Sequence, residues 1–183
     1  MAHFVARYPR IRITLGFTDS RKELVGDGFD MAIRMGLEFK PSPDTWKLLE
    51  TPRCLVAAPG LVEQQPPVRE PKDLSAWPWM ELAPVQNVPV RFRKDSEQQA
   101  VHRKPAQITC NDAYALYRRA RAGAGLAVVP GFLAEEDAAA GKIRYVLPEL
   151  QLAPAIVFAQ WPPKAPKHGL IKLLVGSLGE TRN

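Results

Sequence analysis

Residues 107–130 read QITCNDAYALYRRARAGAGLAVVP, and this stretch decides the fold. Gln107-Ile108-Thr109-Cys110 is a short strand. Asn111 or Asp112 then supplies a side-chain oxygen to cap a helix. Ala113, Leu116, Tyr117 and Ala120 recur at i, i+3, i+4 and i+7, the apolar stripe of an amphipathic helix. Arg118, Arg119 and Arg121 lie off that stripe, near the helix end where the dipole favours cations. Gly123 and Gly125 break the helix, and Leu126-Ala127-Val128-Val129-Pro130 reads as a buried strand. The stretch is therefore a strand–helix–strand unit.

A second such unit is expected near the start. Ile11, Ile13, Leu15 and Phe17 alternate with Arg12, Thr14 and Gly16, a strand with one apolar face. Ser20-x-x-Glu23 is a capping box, Gly26 and Gly28 end the short helix, and Met31 to Arg34 forms the next strand. Strands joined in this way are expected to be parallel with a right-handed crossover. Arg53 to Ala58 reads as a buried strand stopped by Pro59-Gly60. Leu61 to Leu74 is polar and proline-rich, a connection that leaves one sheet for another, and Trp77 to Leu82 starts the second sheet. Phe132 to Ala140 is a short helix closed by Gly141, with strands at Ile143–Leu147 and Ala155–Trp161. A final helix carries the stripe Leu170, Leu173, Leu174, Ser177 and Leu178. Two α/β lobes follow, and two such lobes facing each other make a cleft for a small molecule beyond the carboxyl ends of their strands.

Composition narrows the class. The chain has 183 residues, 46% hydrophobic and 24% charged, enough to bury a core without staples and too apolar for disorder. Its 18 prolines are scattered, which punctuates many short elements. The apolar stretch Ala124 to Ala134 is far short of the about 20 residues that span a bilayer. No signal-peptide core is legible at the N-terminus, so a cytoplasmic location is the expectation. Cys54 and Cys110 stand in apolar surroundings, read as small buried thiols, with a disulfide or a reactive thiol as alternatives. The +6 net charge is spread over Arg91, Arg93 and Lys94, His102 to Lys104, and Arg118 to Arg121. Without interleaved aromatics these clusters read as a solvated basic face before they read as a nucleic-acid surface.

No catalytic constellation is present. H-E-x-x-H, G-x-S-x-G and the Walker loop are all missing, and Gly123-Ala124-Gly125 follows a helix, the reverse of the dinucleotide arrangement. His3, His102 and His168 show no metal spacing, and Glu135-Glu136-Asp137 reads as a solvated helix start. No cofactor, metal or enzymatic activity is expected. Two places suit ligand binding. Thr109 to Asp112 runs from a strand end into a helix N-terminus, where unpaired N–H groups suit a carboxylate, or serve plain capping. Phe17-Thr18-Asp19 and Arg34-Met35-Gly36 end two strands of the first lobe. Arg34 there pairs with a ligand carboxylate, or with Asp30 or Asp19 as a structural ion pair.

The chain resembles the effector-binding domain of LysR-type transcriptional regulators. The likeness runs from Phe4…Tyr8-Pro9 and Ile11-Arg12-Ile13 through Gly28-Phe29-Asp30-Met31-Ala32-Ile33-Arg34-Met35-Gly36 and Leu55-Val56-Ala57-Ala58-Pro59. It continues through Pro71-Lys72-Asp73-Leu74, Asn111-Asp112 and Gly123-Ala124-Gly125-Leu126-Ala127-Val128-Val129-Pro130 to Gly141-Lys142-Ile143 and Val146-Leu147-Pro148. The resemblance implies two Rossmann-like lobes of the type II periplasmic-binding-protein kind joined by two hinge crossings. Lobe one would be residues 1–58 with 153–183, and lobe two 59–152. It implies a small, often anionic effector between the lobes. The site would take in Thr18, Arg34, Met35, Gly36, Thr109, Asn111, Asp112 and Pro130. It also implies a dimer that packs through the Asp112 to Ala122 helix. The family's winged helix-turn-helix and the first strand of lobe one are absent from this sequence, so operator DNA would be a partner only through a missing N-terminal domain. A periplasmic solute-binding receptor is the alternative of the same fold, and a small α/β enzyme a remoter one.

Overall fold

A computed structural model describes residues 1–17, 28–94, 97–101, 103–165 and 168–180. Thr18, the Ser20–Glu23 capping box, its helix and Gly26 lie outside the described residues. The chain divides into two compact units, Met1–Glu50 with Ala155–Asn183, and Thr51–Pro154. Both crossings are marked by proline. Pro52 separates β2 (Thr45–Thr51) from β3 (Arg53–Ala57), and Pro154 precedes β11 (Ala155–Gln160). Proline donates no ladder hydrogen bond, so a strand stops there. The sequence reading carried lobe one on to residue 58. β3 instead pairs with strands of the second unit, and the division falls before it.

The first unit holds a three-stranded sheet of order β1-β11-β2, with β1 at Ala32–Gly36. β1 runs antiparallel to β11, from Ala32 opposite Gln160 to Gly36 opposite Ile156. Helix α5 (His168–Glu180) buries Ile171 and Val175 in a cluster with Ala159, Trp161 and Ala165. A short helix α1 (Ala2–Arg7) buries Phe4, whose ring lies 4.9 Å from Tyr8. The expected strand at Ile11–Phe17 does not form. These residues join no ladder among the described residues, and Leu15 and Phe17 stay exposed. Alternation alone does not make a strand: its N–H and C=O groups need a neighbour.

The second unit is built on the strand–helix–strand read from residues 107–130. β7 (Ile108–Cys110) leads into α3 (Ala113–Arg121), which returns to β8 (Ala127–Pro130). β7 pairs in parallel with β4 (Met80–Leu82), Thr109 opposite Glu81. β4 in turn meets β8 through a parallel bridge of Trp79 and Leu126. There Met80 N donates to Leu126 O at 2.9 Å and Leu126 N donates to Pro78 O at 2.8 Å. β8 lies antiparallel to β3, and β3 antiparallel to the short β9 (Arg144–Tyr145). The strand path is β9-β3-β8-β4-β7, with β4 between the two strands that α3 connects. Gly123, at φ 86°, reverses the chain after α3. A Cβ at Gly125 would lie 2.9 Å from both Pro78 O and Met80 Cγ, so only glycine fits.

Five elements were not anticipated. β5 (Val90–Lys94) and β6 (Glu97–Val101) form a hairpin that extends through β10 (Gln151–Leu152). Phe92 and Val101 point into the core with Trp77, Trp79 and Leu74, while Arg91 and Arg93 are exposed on the alternate positions. Helix α2 (Pro59–Gln64) begins with proline at its first position and buries Leu61, inside what read as a connection. β2 had no sequence signal at all.

A second cluster joins the underside of α3 to the sheet: Leu116, Tyr117 and Ala120 pack with Val56, Met80, Val129 and Ile143. Helix α4 (Glu135–Ala139) is tied to α3 by Asp137. Its carboxylate accepts from the Tyr117 hydroxyl, pairs with Arg121 Nε at 3.0 Å, and lies 3.7 Å from Lys142 Nζ. Asp137 is thus not a solvated helix start but a fastening between two helices. The Tyr117 hydroxyl bond, with the two cations, holds its carboxyl below the usual range, and burial with the same bond pushes the Tyr117 hydroxyl up to about 12.

Two stability predictions follow from this packing. Leu116 is 1% exposed, so Leu116→Ala lowers unfolding free energy by about 3 kcal/mol in urea titrations, while Tyr114→Ala, on the exposed face, changes it by less than about 1 kcal/mol. The lowered Asp137 pKa means a contribution present above the unfolded carboxyl's pKa and lost as pH falls through the folded one. Asp137→Asn therefore lowers the urea midpoint at pH 7, and its gap from the parent narrows on acidification below about pH 4.

Candidate functional site

In the second unit the parallel alignment of β4, β7 and β8 brings their carboxyl ends to one edge of the sheet. Ligands of α/β sheets bind beyond such an edge. Thr109, Asn111 and Asp112 come from the end of β7, and Pro130 from the end of β8. Thr109, Asn111 and Asp112 are exposed, whereas Pro130 is buried. The structure thus gathers four of the sequence-selected residues.

Asp112 has a definite local task. Its side chain accepts from Ala115 N at 2.5 Å, and its carbonyl accepts from Leu116 N at 3.0 Å, the geometry of an N-cap. Asp112 is the cap, and the neighbouring Asn111 side chain is left outside the helix. The positive end of the α3 dipole then faces the strand edge, with the Asp112 carboxylate as the anion that meets it.

Beside Thr109 stands a buried ion pair that sequence reasoning missed. Glu81, 7% exposed, is the ladder neighbour of Thr109 and pairs with Arg103. Arg103 Nε donates to Glu81 Oε1 at 2.7 Å and Nη1 to Val88 O at 3.1 Å, while its guanidinium lies 5.4 Å from the Trp79 ring centroid. Arg103 had been counted among solvated basic residues, but it is consumed internally. Twenty-two residues separate the partners, a spacing that carries no sequence signal. The pairing neutralises a carboxylate that would otherwise repel an anion near Thr109.

In the first unit, Arg34, Met35 and Gly36 lie on β1. Successive strand residues face opposite sides of a sheet, and the exposures follow suit. Ile33 and Met35 are exposed, while Ala32, Arg34 and Gly36 are half-buried on the other face. Arg34 and Met35 therefore do not face one ligand together. Arg34 stands opposite Phe158, whose ring lies 5.5 Å from that of Phe39. Thr18 lies outside the described residues. Among the described residues there is no group of three or more His, Cys, Asp or Glu side chains placed to hold a metal ion, and no helix long and apolar enough to cross a membrane. Cys54 and Cys110 are free thiols, and burial, with nearby Glu135, pushes the Cys54 thiol up to about 11.

The capping role can be separated from ligand contact. Asp112→Ala costs about 1 kcal/mol of stability in chemical unfolding, whereas Asp112→Asn, which keeps the accepting oxygen, costs less than half of that.

A family profile for the LysR substrate binding domain matches residues 1–182. Among curated proteins, the chain is 26% identical over 179 residues to the HTH-type transcriptional regulator PtxR of Pseudomonas aeruginosa, covering 98% of this chain and 57% of that protein. It is 25% identical over 185 residues to the HTH-type transcriptional activator AaeR of Escherichia coli, covering 97% of this chain and 57% of that protein. The chain thus spans a little over half the length of these relatives. Among solved structures, it superposes on full-length AphB of Vibrio cholerae, a LysR-type activator, with a TM-score of 0.78 at 17% identity, covering 100% of this chain and 62% of that one. It superposes on the regulatory domain of CrgA from Neisseria meningitidis with a TM-score of 0.75 at 20% identity, covering 100% of this chain and 89% of that one. These likenesses establish the fold as that of LysR regulatory domains, α/β with two lobes. With the match running along almost its entire length, the chain belongs to the LysR substrate-binding domain family.

Proposed function

We propose that this chain is the ligand-sensing part of a transcriptional regulator that binds a small anionic effector. The observation that carries this reading is the shared carboxyl edge of β4, β7 and β8, where the capped N-terminus of α3 meets Thr109, Asn111 and Pro130. The Thr109 hydroxyl and Asn111 amide offer directional hydrogen bonds, the α3 dipole, offset in part by its Asp112 cap, adds a positive bias, and Pro130 supplies apolar surface. Binding acts on transcription only if the effector prefers one arrangement of the domain over another, since an indifferent ligand shifts no equilibrium. In the whole regulator, contact with operator DNA belongs to the part of the longer relatives that this chain does not span. A dimer through α3 suits its outer face, where Tyr114 is 56% exposed beside exposed Arg118 and Arg119. A cytoplasmic site of action and the lack of a catalytic role follow from the same reading: its relatives are transcriptional regulators.

The test is a thermal-shift screen of the chain against organic acids, amino acids and aromatic carboxylates. A true effector at a hundredfold over its Kd adds about 2.7 kcal/mol to the native state, a rise in Tm of roughly 5–10 °C for a chain of this size. Thr109→Val and Asn111→Ala are expected to remove most of that rise without lowering the ligand-free Tm by more than a few degrees, and Arg34→Gln reports whether the first unit contributes. A cooperative melt that no anion raises, or a rise indifferent to Thr109→Val and Asn111→Ala, overturns the proposed site.

A further inference from the structure

The second unit contains another recess, on the β9 side of β3. It encloses about 220 Å³ and is lined by residues 53–55, 92, 145–148, 150 and 152. None of these is among the residues at the carboxyl edge of β4, β7 and β8. Most of its lining side chains are apolar, among them Leu55, Phe92, Leu147, Pro148, Leu150 and Leu152, and the rest of its surface is polar. Leu147 is held in the left-handed region at φ 53°, an unusual conformation for a branched side chain. Backbone bonds fix it there: Val146 N donates to Leu55 O at 2.9 Å, and Leu150 N donates to Leu147 O at 3.0 Å.

Arg53 is the one charged residue of the lining. Its Nε donates to Ala153 O at 2.6 Å. Among the described residues, no carboxylate lies within ion-pair distance, and the two terminal nitrogens make no hydrogen bond to protein. Desolvation lowers its pKa from the ordinary guanidinium value, with no opposite charge to offset it. The other arginines of this unit that meet the core or the helices are paired: Arg103 with Glu81, and Arg121 with Asp137. A half-buried guanidinium with a free two-nitrogen fork at an apolar recess matches a carboxylate attached to a compact hydrophobic body.

We infer that the recess between Arg53 and the Leu147–Leu152 segment is a second ligand site, specific for small monocarboxylates with an apolar body. The carboxylate takes the free fork of Arg53 bidentately, and the body rests on Phe92, Leu147 and Leu150. At about 220 Å³ the site is smaller than the roughly 300–1,000 Å³ of drug-sized pockets, which limits the ligand to a single ring or a short branched chain.

The experiment uses 4-fluorobenzoate as the probe and its neutral isostere 4-fluorobenzamide as control, followed by fluorine NMR with the chain at pH 7. The benzoate is expected to broaden saturably, and the amide to bind at least about tenfold more weakly. Arg53→Gln weakens benzoate by about tenfold or more, Arg53→Lys keeps part of the affinity, and Leu150→Trp, which fills the recess with Arg53 intact, abolishes it. The part of the benzoate binding that Arg53→Gln removes persists in Thr109→Val, which separates this site from the edge of β4, β7 and β8. Equal binding of amide and benzoate, benzoate binding insensitive to both Arg53→Gln and Leu150→Trp, or no binding up to about 10 mM each overturns the inference.

Discussion

The second unit depends on one close approach of backbone to backbone. Leu126 N reaches Pro78 O at 2.8 Å and Met80 N reaches Leu126 O at 2.9 Å, and this pair of bonds joins β9-β3-β8 to β4-β7. The residue before Leu126 must carry no side chain, because a Cβ at Gly125 would collide with Pro78 O and Met80 Cγ. The join fixes direction as well as contact. With β4 parallel to both β7 and β8, the three carboxyl ends share one edge, and the N-terminus of α3 is delivered to it. The candidate effector edge is thus a consequence of a packing constraint at the far end of the helix that serves it.

That constraint also explains which parts of the fold were legible. Residues 107–130 carry their own instructions: an Asp cap, a four-residue apolar stripe, a left-handed Gly123 and a tight Gly125. Each acts within a turn or two of chain, so periodicity and turn chemistry expose it. The β5–β6 hairpin carries almost none. Its buried residues, Phe92 and Val101, are paid for by Leu74, Trp77 and Trp79, brought from a distance, and its exposed positions read only as a basic cluster. The opposite error occurred at residues 11–17, where strict alternation promised a strand but no ladder partner is present among the described residues. Pattern reports amphipathy, whereas a strand is a relation between two segments. The same limit applied to the site. Strand ends and caps pointed to Thr109 through Asp112 and to Pro130, but which face Arg34 and Met35 occupy was decided by the register of β1 on β11.

Charge placement in the second unit follows a consistent logic. Glu81 and Arg103 satisfy each other beside Thr109, with Trp79 under the guanidinium and Val88 O taking a further donor. Asp137 collects a hydroxyl and two cations where α3 meets α4. Both arrangements compensate a desolvated charge with short, directed partners, as burial of a charge requires. Neither leaves an unpaired carboxylate near the β7–α3 junction, where the Asp112 carboxylate that caps α3 already offsets part of the helix field. At the edge itself the Glu81 charge is thus neutralised, and the uncharged Thr109 and Asn111 side chains remain exposed there.

Arg53 departs from that logic, and the departure has a thermodynamic consequence. A guanidinium half-removed from water with one carbonyl partner contributes less to the stability of the empty unit than a paired one would. An anion in the recess supplies the missing partner, so the desolvation already incurred is not charged again on binding. Occupancy and stability of the second unit are then linked: whatever binds the native recess and not the unfolded chain stabilises the unit by mass action. β3 carries Arg53 at its first residue, opposite Pro130 at the end of β8, so the strand that would feel occupancy of the recess is the ladder neighbour of the strand that ends at the effector edge. The two sites share no lining residue, yet a rigid two-strand ladder lies between them, and a ligand that tightens β3 acts on the backbone that holds Pro130.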